Sequence, residues 1–292
     1  MADPAAGGDP SDAELVELAR RGRLLVVETV ATSGAGHVGG PLSAMDLLIT
    51  LFFRELRIRP DEPAWPERDR FVLSKGHSAI ALYVAMALRG YFPIDELATF
   101  DRGDSRLQGH PDMTRLPGLD ASTGSLGQGL AVGVGIALGC RMRRLDARTY
   151  VMLGDGEMQE GEAWESVIAA GKYGLGHLTA IVDCNGLQQY GWPSNGEGGA
   201  GDRRDPWAGM SLAGAFEAFG WRVLTVDGHD IAAISTVLQQ ARDRGPRDPP
   251  TAILARTIKG RGLSFAEGRF DWHARVPTAD DVAAARAEIG RS

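Results

Sequence analysis

Two short polar turns carry the sharpest chemical signal in this chain of 292 residues. Gly154-Asp155-Gly156 follows the apolar run Tyr150-Val151-Met152-Leu153, and Asn185-Gly186-Leu187 follows Val182-Asp183-Cys184 after a single intervening helical segment. An octahedral Mg²⁺ wants hard oxygen ligands and commonly keeps water or phosphate oxygens in its shell. Asp155 offers a carboxylate, Asn185 an amide oxygen and Leu187 a main-chain carbonyl. The glycines beside Asp155 let the backbone approach a diphosphate, and the amino end of the following helix favours its negative charge. Both turns are also ordinary turn chemistry. Their position at the ends of consecutive strands is what favours the metal reading.

Four of the six histidines, His37, His77, His110 and His273, fall in loops marked by glycine or tryptophan and not on periodic faces. That placement predicts one shared site, because histidine can donate to a carbonyl or take a proton near neutral pH. The alternative for any one of them is a ring that braces its own loop. His177 and His229 stand in turns before a strand and before a helix and read as structural. Lys259 is a mobile point charge suited to phosphate, or else a solvated lysine on a turn. Glu160 and Glu165 are five residues apart, a spacing that does not share one helical stripe, so they require different partners or face water.

These residues need a scaffold, and the hydrophobic pattern supplies one. Short β-branched runs at Arg70 to Leu73, Thr149 to Leu153, Leu178 to Asp183, Arg222 to Val226 and Thr251 to Ala255 predict buried strands. Helical spacing predicts helices from Ala13 to Val30, Ser43 to Leu56, Ser78 to Arg89, Leu126 to Leu145, Gly161 to Tyr173, Pro206 to Phe219 and Ile231 to Arg242. The first two read as surface-packed, with Pro41 just before a Ser43 that caps the second. Alternating strands and helices imply an α/β fold, a mainly parallel sheet covered by helices on both faces. Ligands in that architecture sit at the carboxyl ends of strands. The Gly-, Asn- and Asp-rich stretch 186–209 follows such an end and reads as a functional loop.

Bulk composition narrows the rest. With 38 acidic against 31 basic residues, no basic surface advertises nucleic acid or an anionic membrane. Cys140 and Cys184, at a helix end and a strand end, have neither metal-site nor disulfide spacing, which fits a reducing cytoplasm. Residues 1–11 read as a disordered leader and not a signal peptide, and no apolar run approaches the ~20 residues needed to span a bilayer. One domain is expected over 12–292, its regular structure ending near Ala285.

Several of these stretches together resemble one family. Ser122-Thr123-Gly124-Ser125-Leu126-Gly127-Gln128-Gly129, Leu73-Ser74-Lys75-Gly76-His77, Gly109-His110-Pro111 and Gly154 to Gly161 are similar to transketolase motifs, in order, from about residue 30 to residue 275. The Gly-Asp-Gly and later Asn are similar to the thiamine-diphosphate motif. This resemblance implies that Asp155, Asn185 and the Leu187 carbonyl hold Mg²⁺ and that Gly124, Leu126 and Gly156 line thiamine diphosphate, joined by Gln189. It implies that Lys259, within Ala255 to Gly262, lies near the diphosphate and that His37, His77, His110 and His273 face the thiazolium end and the sugar hydroxyls. Glu160 and Glu165 would enter a subunit-interface network. The chain departs from the family at Val38, where proline is more usual, and at Ala274-Arg275, where Gly-Lys is more usual.

In that family the glutamate that promotes loss of the thiazolium proton belongs to a separate pyrimidine-binding domain, and only 17 residues follow Arg275. The expectation is therefore the diphosphate-binding half of a split transketolase. With a C-terminal subunit supplying the glutamate, and two copies of each chain, it would pass a two-carbon ketol unit from a ketose donor to an aldehyde acceptor. The alternatives are a subunit of a 2-oxoacid dehydrogenase or decarboxylase, and a cofactor-binding scaffold without turnover.

Overall fold

Five strands form one wholly parallel sheet in the computed structural model, which describes residues 9–189 and 211–289. They are β1 (Arg70–Leu73), β2 (Thr149–Gly154), β3 (Leu178–Cys184), β4 (Arg222–Asp227) and β5 (Thr251–Arg256), in the spatial order β1-β2-β3-β5-β4. Among the described residues the helices are α1 (Asp12–Ser33), α2 (Gly39–Thr50), α3 (Ala79–Arg89), α4 (Gln128–Met142), α5 (Gly161–Tyr173), α6 (Leu212–Ala218), α7 (Ile231–Arg242) and α8 (Ala279–Ile289).

Successive side chains on a strand point to opposite faces, and each face here has its own core. Tyr150 and Met152 of β2 join the layer built by α1, α2, α3, α7 and α8. Val151 and Leu153 join the layer of α4, α5 and α6. The connections β2–α5–β3 and β3–α6–β4 advance across the sheet on one face, whereas β4–α7–β5 turns back on the other. Opposite travel on opposite faces is what right-handed crossovers require.

Local chemistry sets the helix ends. Ser11 and Glu14 form a capping box that starts α1, and Gly34, in the left-handed region, ends it. The helix expected from Ser43 begins four residues earlier, at Gly39, and Ser43 does not cap it. Pro41 lies inside the first turn, where the absent N–H would have had no partner in any case. The buried Ser43 hydroxyl instead donates to Gly40 O at 2.9 Å and to Asp183. Nor is α2 surface-packed: all twelve of its residues are buried, including Ser43, Asp46 and Thr50. Its last stretch, Leu51–Glu55, is a π-helical turn.

Shorter differences have similar causes. Gly127, left-handed, delays α4 to Gln128, and Arg144, also left-handed, follows its end. The first part of the helix expected from Pro206, and positions 190–209 of the expected loop, fall outside the described residues. Of the expected leader, 1–8 also fall outside, while the Pro10 carbonyl accepts from Arg54 and Ser11 is the α1 cap. Cys140 and Cys184 are not joined in a disulfide. No helix among the described residues is long and apolar enough to cross a membrane.

Candidate cofactor and catalytic site

The carboxyl ends of β1, β2, β3 and β5 lie side by side, and the loops leaving them build the site. After β1, Ser74-Lys75-Gly76-His77 turns into a short 3₁₀ segment. A Cβ on Gly76 would stand 2.7 Å from the Gly124 nitrogen, so this close backbone approach admits only glycine. Thr123 Oγ1 donates to Leu73 O at 2.7 Å and clamps the same two loops together.

Asp155, after β2, ties two strand ends. Its Oδ2 accepts the Gly186 N–H at 2.7 Å and its Oδ1 the Gly156 N–H at 2.9 Å. The helix that follows is not immediate: one 3₁₀ turn, Glu157–Gln159, precedes α5. After β3, Asn185 Oδ1 accepts the Leu187 N–H at 3.1 Å. After β5, Lys259 is 2% exposed, and its ammonium donates to Gln188 O at 3.0 Å and to His273 Nδ1 at 2.9 Å.

A cavity of about 490 Å³ opens between these loops. Every site residue named from the sequence lines it except Glu165, which is exposed on α5; Glu160, in the extended cap before α5, lines the rim. Thus His37, His77, His110, His273, Gly124, Leu126, Asp155, Gly156, Asn185, Leu187, Gln189 and Lys259 share one space although they come from distant parts of the chain.

The histidines form a cluster. The His37 ring centroid lies 5.2 Å from His77, 5.1 Å from His273 and 6.2 Å from His110, and His77 lies 5.0 Å from His273. Burial, then the neighbouring cationic groups, lowers the pKa of His37 to about 4 and of His273 to about 3, and sends His77 well below its ordinary value. These three rings are neutral at physiological pH, able to accept a proton or to donate one N–H. Burial, then Lys75, brings Lys259 down to about 8.

Three buried ionisable residues that the motif reading did not single out hold this arrangement. Asp183 is wholly buried and receives Lys75, Ser43 and Thr257, while Asn185 Nδ2 donates to its Oδ2 at 3.3 Å. Burial works against the Asp183 carboxylate, but the Lys75 ammonium beside it more than offsets that and keeps it ionised. Glu157 accepts from Ser74, from the Gly127 N–H at 3.0 Å and from the Gly154 N–H at 3.0 Å, stapling β1, α4 and β2. Lys75 and Glu157 stood inside the quoted motifs. Asp183 had one available signal, a carboxylate in an otherwise apolar strand.

The residues fit a metal-bound diphosphate. Asp155 is 5% exposed, and burial, reinforced by the Asp183 charge, raises its pKa to about 6. Such a carboxyl gains most from an adjacent cation. One carboxylate, one amide oxygen and one carbonyl leave positions for phosphate oxygens, as Mg²⁺ prefers. The nearby Lys75 and Lys259 ammonium groups answer the negative charge of a diphosphate.

A second cavity, of about 550 Å³, lies at the opposite end of the sheet and is lined by Arg141, Arg144, Arg148, Arg244 and Arg247. The carboxyl ends of α4, α5 and α7 gather there. Cations answer the negative ends of helix dipoles, so that charge belongs to the scaffold.

Known proteins share both the sequence and the geometry. The family described as transketolase, thiamine diphosphate binding domain, matches residues 15–292. A 6-deoxy-6-sulfo-D-fructose transketolase subunit of Clostridium sp. (strain MSTE9) is 43% identical over 267 residues, covering 91% of this chain and 93% of that one. One of the apulose-4-phosphate transketolase subunits, from Phocaeicola vulgatus, is 38% identical over 277 residues, covering 94% of each chain. The crystal structure of a Pichia stipitis transketolase in complex with sedoheptulose 7-phosphate superposes with a TM-score of 0.85 at 31% identity. It matches 96% of this chain, which spans 41% of the length of that solved chain.

Proposed function

Because this chain belongs to the transketolase family, through the domain that binds thiamine diphosphate, we propose that it is the diphosphate-holding subunit of a two-chain enzyme that moves a two-carbon ketol unit from a ketose to an aldehyde. The observation that carries this reading is the meeting of Asp155, Asn185, Leu187 and Lys259 with four histidine rings around one cavity.

Bound thiamine diphosphate supplies the carbon nucleophile that breaks and remakes the ketol carbon–carbon bond. Asp155, Asn185 and the Leu187 carbonyl hold its Mg²⁺, Lys259 balances the diphosphate, and Gly124, Leu126, Gly156 and Gln189 wall the cofactor. His37, His77, His110 and His273 do the proton work. The neutral rings of His37, His77 and His273 donate an N–H to the donor carbonyl or to sugar hydroxyls and accept protons as the ketose is cleaved and the new one forms. His37, His77 and His273 are half-buried in a shared pocket, which limits the water that competes for those bonds.

The relatives that match along nearly their whole length are named as transketolase subunits, which supports a partner chain. That partner is a C-terminal transketolase-like subunit carrying the pyrimidine-side glutamate, in an assembly of two copies of each, with Glu160 and Glu165 in the network between subunits. Relatives named for 6-deoxy-6-sulfo-D-fructose and for apulose-4-phosphate support a ketose donor with an anionic tail. Two cysteines without a disulfide between them fit a cytoplasmic enzyme.

Co-purification with the product of a neighbouring gene, followed by a donor and acceptor screen, tests the reading. The pair is expected to show ketol transfer that requires Mg²⁺ and thiamine diphosphate, with neither chain active alone. Ketol transfer by this chain alone removes the two-chain part of the proposal, and exclusive decarboxylation of 2-oxoacids by the pair removes the ketol part.

A further inference from the structure

His229 lies outside the cavity, yet it is wired to the cavity's cationic wall. It sits in the turn between β4 and α7, with its side chain 10% exposed. Its Nε2 accepts the Ile258 backbone N–H at 2.9 Å, and its Nδ1 is 2.7 Å from Asp46 Oδ2. These two contacts fix the ring's protonation. Nε2 receives a hydrogen and must present its lone pair, so the ring proton is on Nδ1 and is donated to Asp46.

Asp46, on α2, also receives the guanidinium of Arg23 from α1, and both are buried. Burial opposes the Asp46 charge, but the His229 N–H and then Arg23 more than offset it and hold the carboxyl below its ordinary range. Arg23–Asp46–His229 is therefore a fixed line of charge-assisted bonds running from two core helices to one amide, that of Ile258.

That amide matters because of its neighbours. Thr257 on one side donates to the buried Asp183, and Lys259 on the other turns its side chain into the cavity. The same turn is pinned further along by Gly260 N–H to Gly39 O at 2.9 Å. β5 ends at Arg256, and Ile258 lies in the turn between that strand end and Lys259, directly before the lysine.

We propose that His229 is a positioning residue for the cofactor site: through its bare Nε2 it holds the Ile258 amide and so aims Lys259 at the diphosphate. This rests on the cofactor reading given above, and it assigns to His229 a role beyond the structural one its turn context suggests. Hydrogen-bond partners one step behind a ligand-binding group commonly change affinity by about 10–100-fold when lost.

Two substitutions separate the bonds. In His229→Gln the amide oxygen reaches the place of Nε2 and keeps an acceptor for Ile258. In His229→Asn the shorter amide reaches only the place of Nδ1, so the Asp46 contact is kept and the Ile258 acceptor is lost. The affinity of the full chain for thiamine diphosphate, and separately for inorganic pyrophosphate, is measured by calorimetry at saturating Mg²⁺, with melting curves as a check on folding. His229→Asn is expected to weaken both ligands about tenfold and His229→Gln less than about threefold.

Equal binding by wild type and His229→Asn overturns the proposal, as does equal weakening by both variants, which would indicate packing alone. A wild-type chain that binds neither ligand even with its partner subunit present refutes the cofactor reading and this role with it. The ¹⁵N resonances of His229 in the unsubstituted chain give a check independent of any variant's folding. They are expected to show the proton on Nδ1, and a proton on Nε2 overturns the proposal.

Discussion

Asp155 is held between opposing influences that either a proton or a cation would relieve. Two backbone N–H groups favour its charged form, yet burial and the Asp183 charge outweigh them and leave its pKa at about 6. On the proposed cofactor reading, a proton and Mg²⁺ compete for the same carboxylate. Magnesium-linked uptake of thiamine diphosphate is expected to weaken by about tenfold per pH unit below pH 6, and to be flat above it, because one proton must leave for each metal bound. Asp155→Asn should lower affinity by about a hundredfold or more and abolish that slope. Calorimetric titrations from pH 5 to pH 8 check both, and an unchanged slope in the variant would assign the proton to another group. Asp183 makes the opposite case, a carboxylate whose partner is already inside the protein. Asp183→Asn leaves Lys75 buried without its counter-charge, and is expected to cost about 3–5 kcal/mol in denaturant unfolding. A loss below about 1 kcal/mol would show that Lys75 finds another partner or gives up its charge.

At the scale of elements, the first turn of α2 is where backbone and site meet. A Cβ on Gly39 would fall 2.9 Å from Lys259 Cγ and 3.2 Å from the Trp272 carbonyl. The lysine cannot swing aside while its ammonium is bound to Gln188 O and His273, and a carbonyl in a packed loop does not yield. Gly39→Ala is thus expected to destabilise by about 1–3 kcal/mol and to weaken thiamine diphosphate binding, read by melting temperature and by calorimetry. A variant that melts and binds like the wild type would show that the approach is looser than the geometry states. The same helix shows where sequence reading stops. The strands were legible almost to the residue, β1 completely and the others to within one carboxyl-terminal residue, because an apolar run bounded by Gly, Asp or Asn has few other uses. So were α5 and α7, whose one-sided apolar stripes face a sheet. The start of α2 was not, since Gly39-Gly40-Pro41 has the composition of a loop, and the close neighbours Lys259, His77 and Ser78 that leave room only for glycine there come from distant segments. The candidate site residues could be read as types at loop positions, but the side chains that brace them, Asp183 and Glu157, depend on contacts between segments far apart in sequence.

Over the whole molecule, the site is built at a cost that pH should expose. A histidine whose pKa falls on folding binds fewer protons native than unfolded, so stability rises with pH between its folded and unfolded values and is lost as pH falls through that window. For His37 the window runs from about 4 to 6.5, and for His273 from about 3 to 6.5; His77 acts in the same direction. Asp155, raised from 3.8 to about 6, acts oppositely, stabilising the folded chain at the acid side of its window and losing that contribution as pH rises through 6. Three histidines outweigh one carboxyl, so the melting temperature of the ligand-free chain should fall as pH drops from 6.5 to 5. Bound Mg²⁺ and diphosphate change the balance: ionised Asp155 no longer gives an acid-side gain, and the complex should lose stability more steeply over the same range. Melting curves at pH 5, 5.75, 6.5 and 7.25, with and without Mg²⁺ and thiamine diphosphate, measure the two slopes. His37→Asn, which removes one acid-sensitive ring, should flatten both. A ligand-free chain whose melting temperature does not decline below pH 6.5 would mean that the histidine cluster opens to water and takes up protons without unfolding, and excluding water from the cluster would then require the partner subunit.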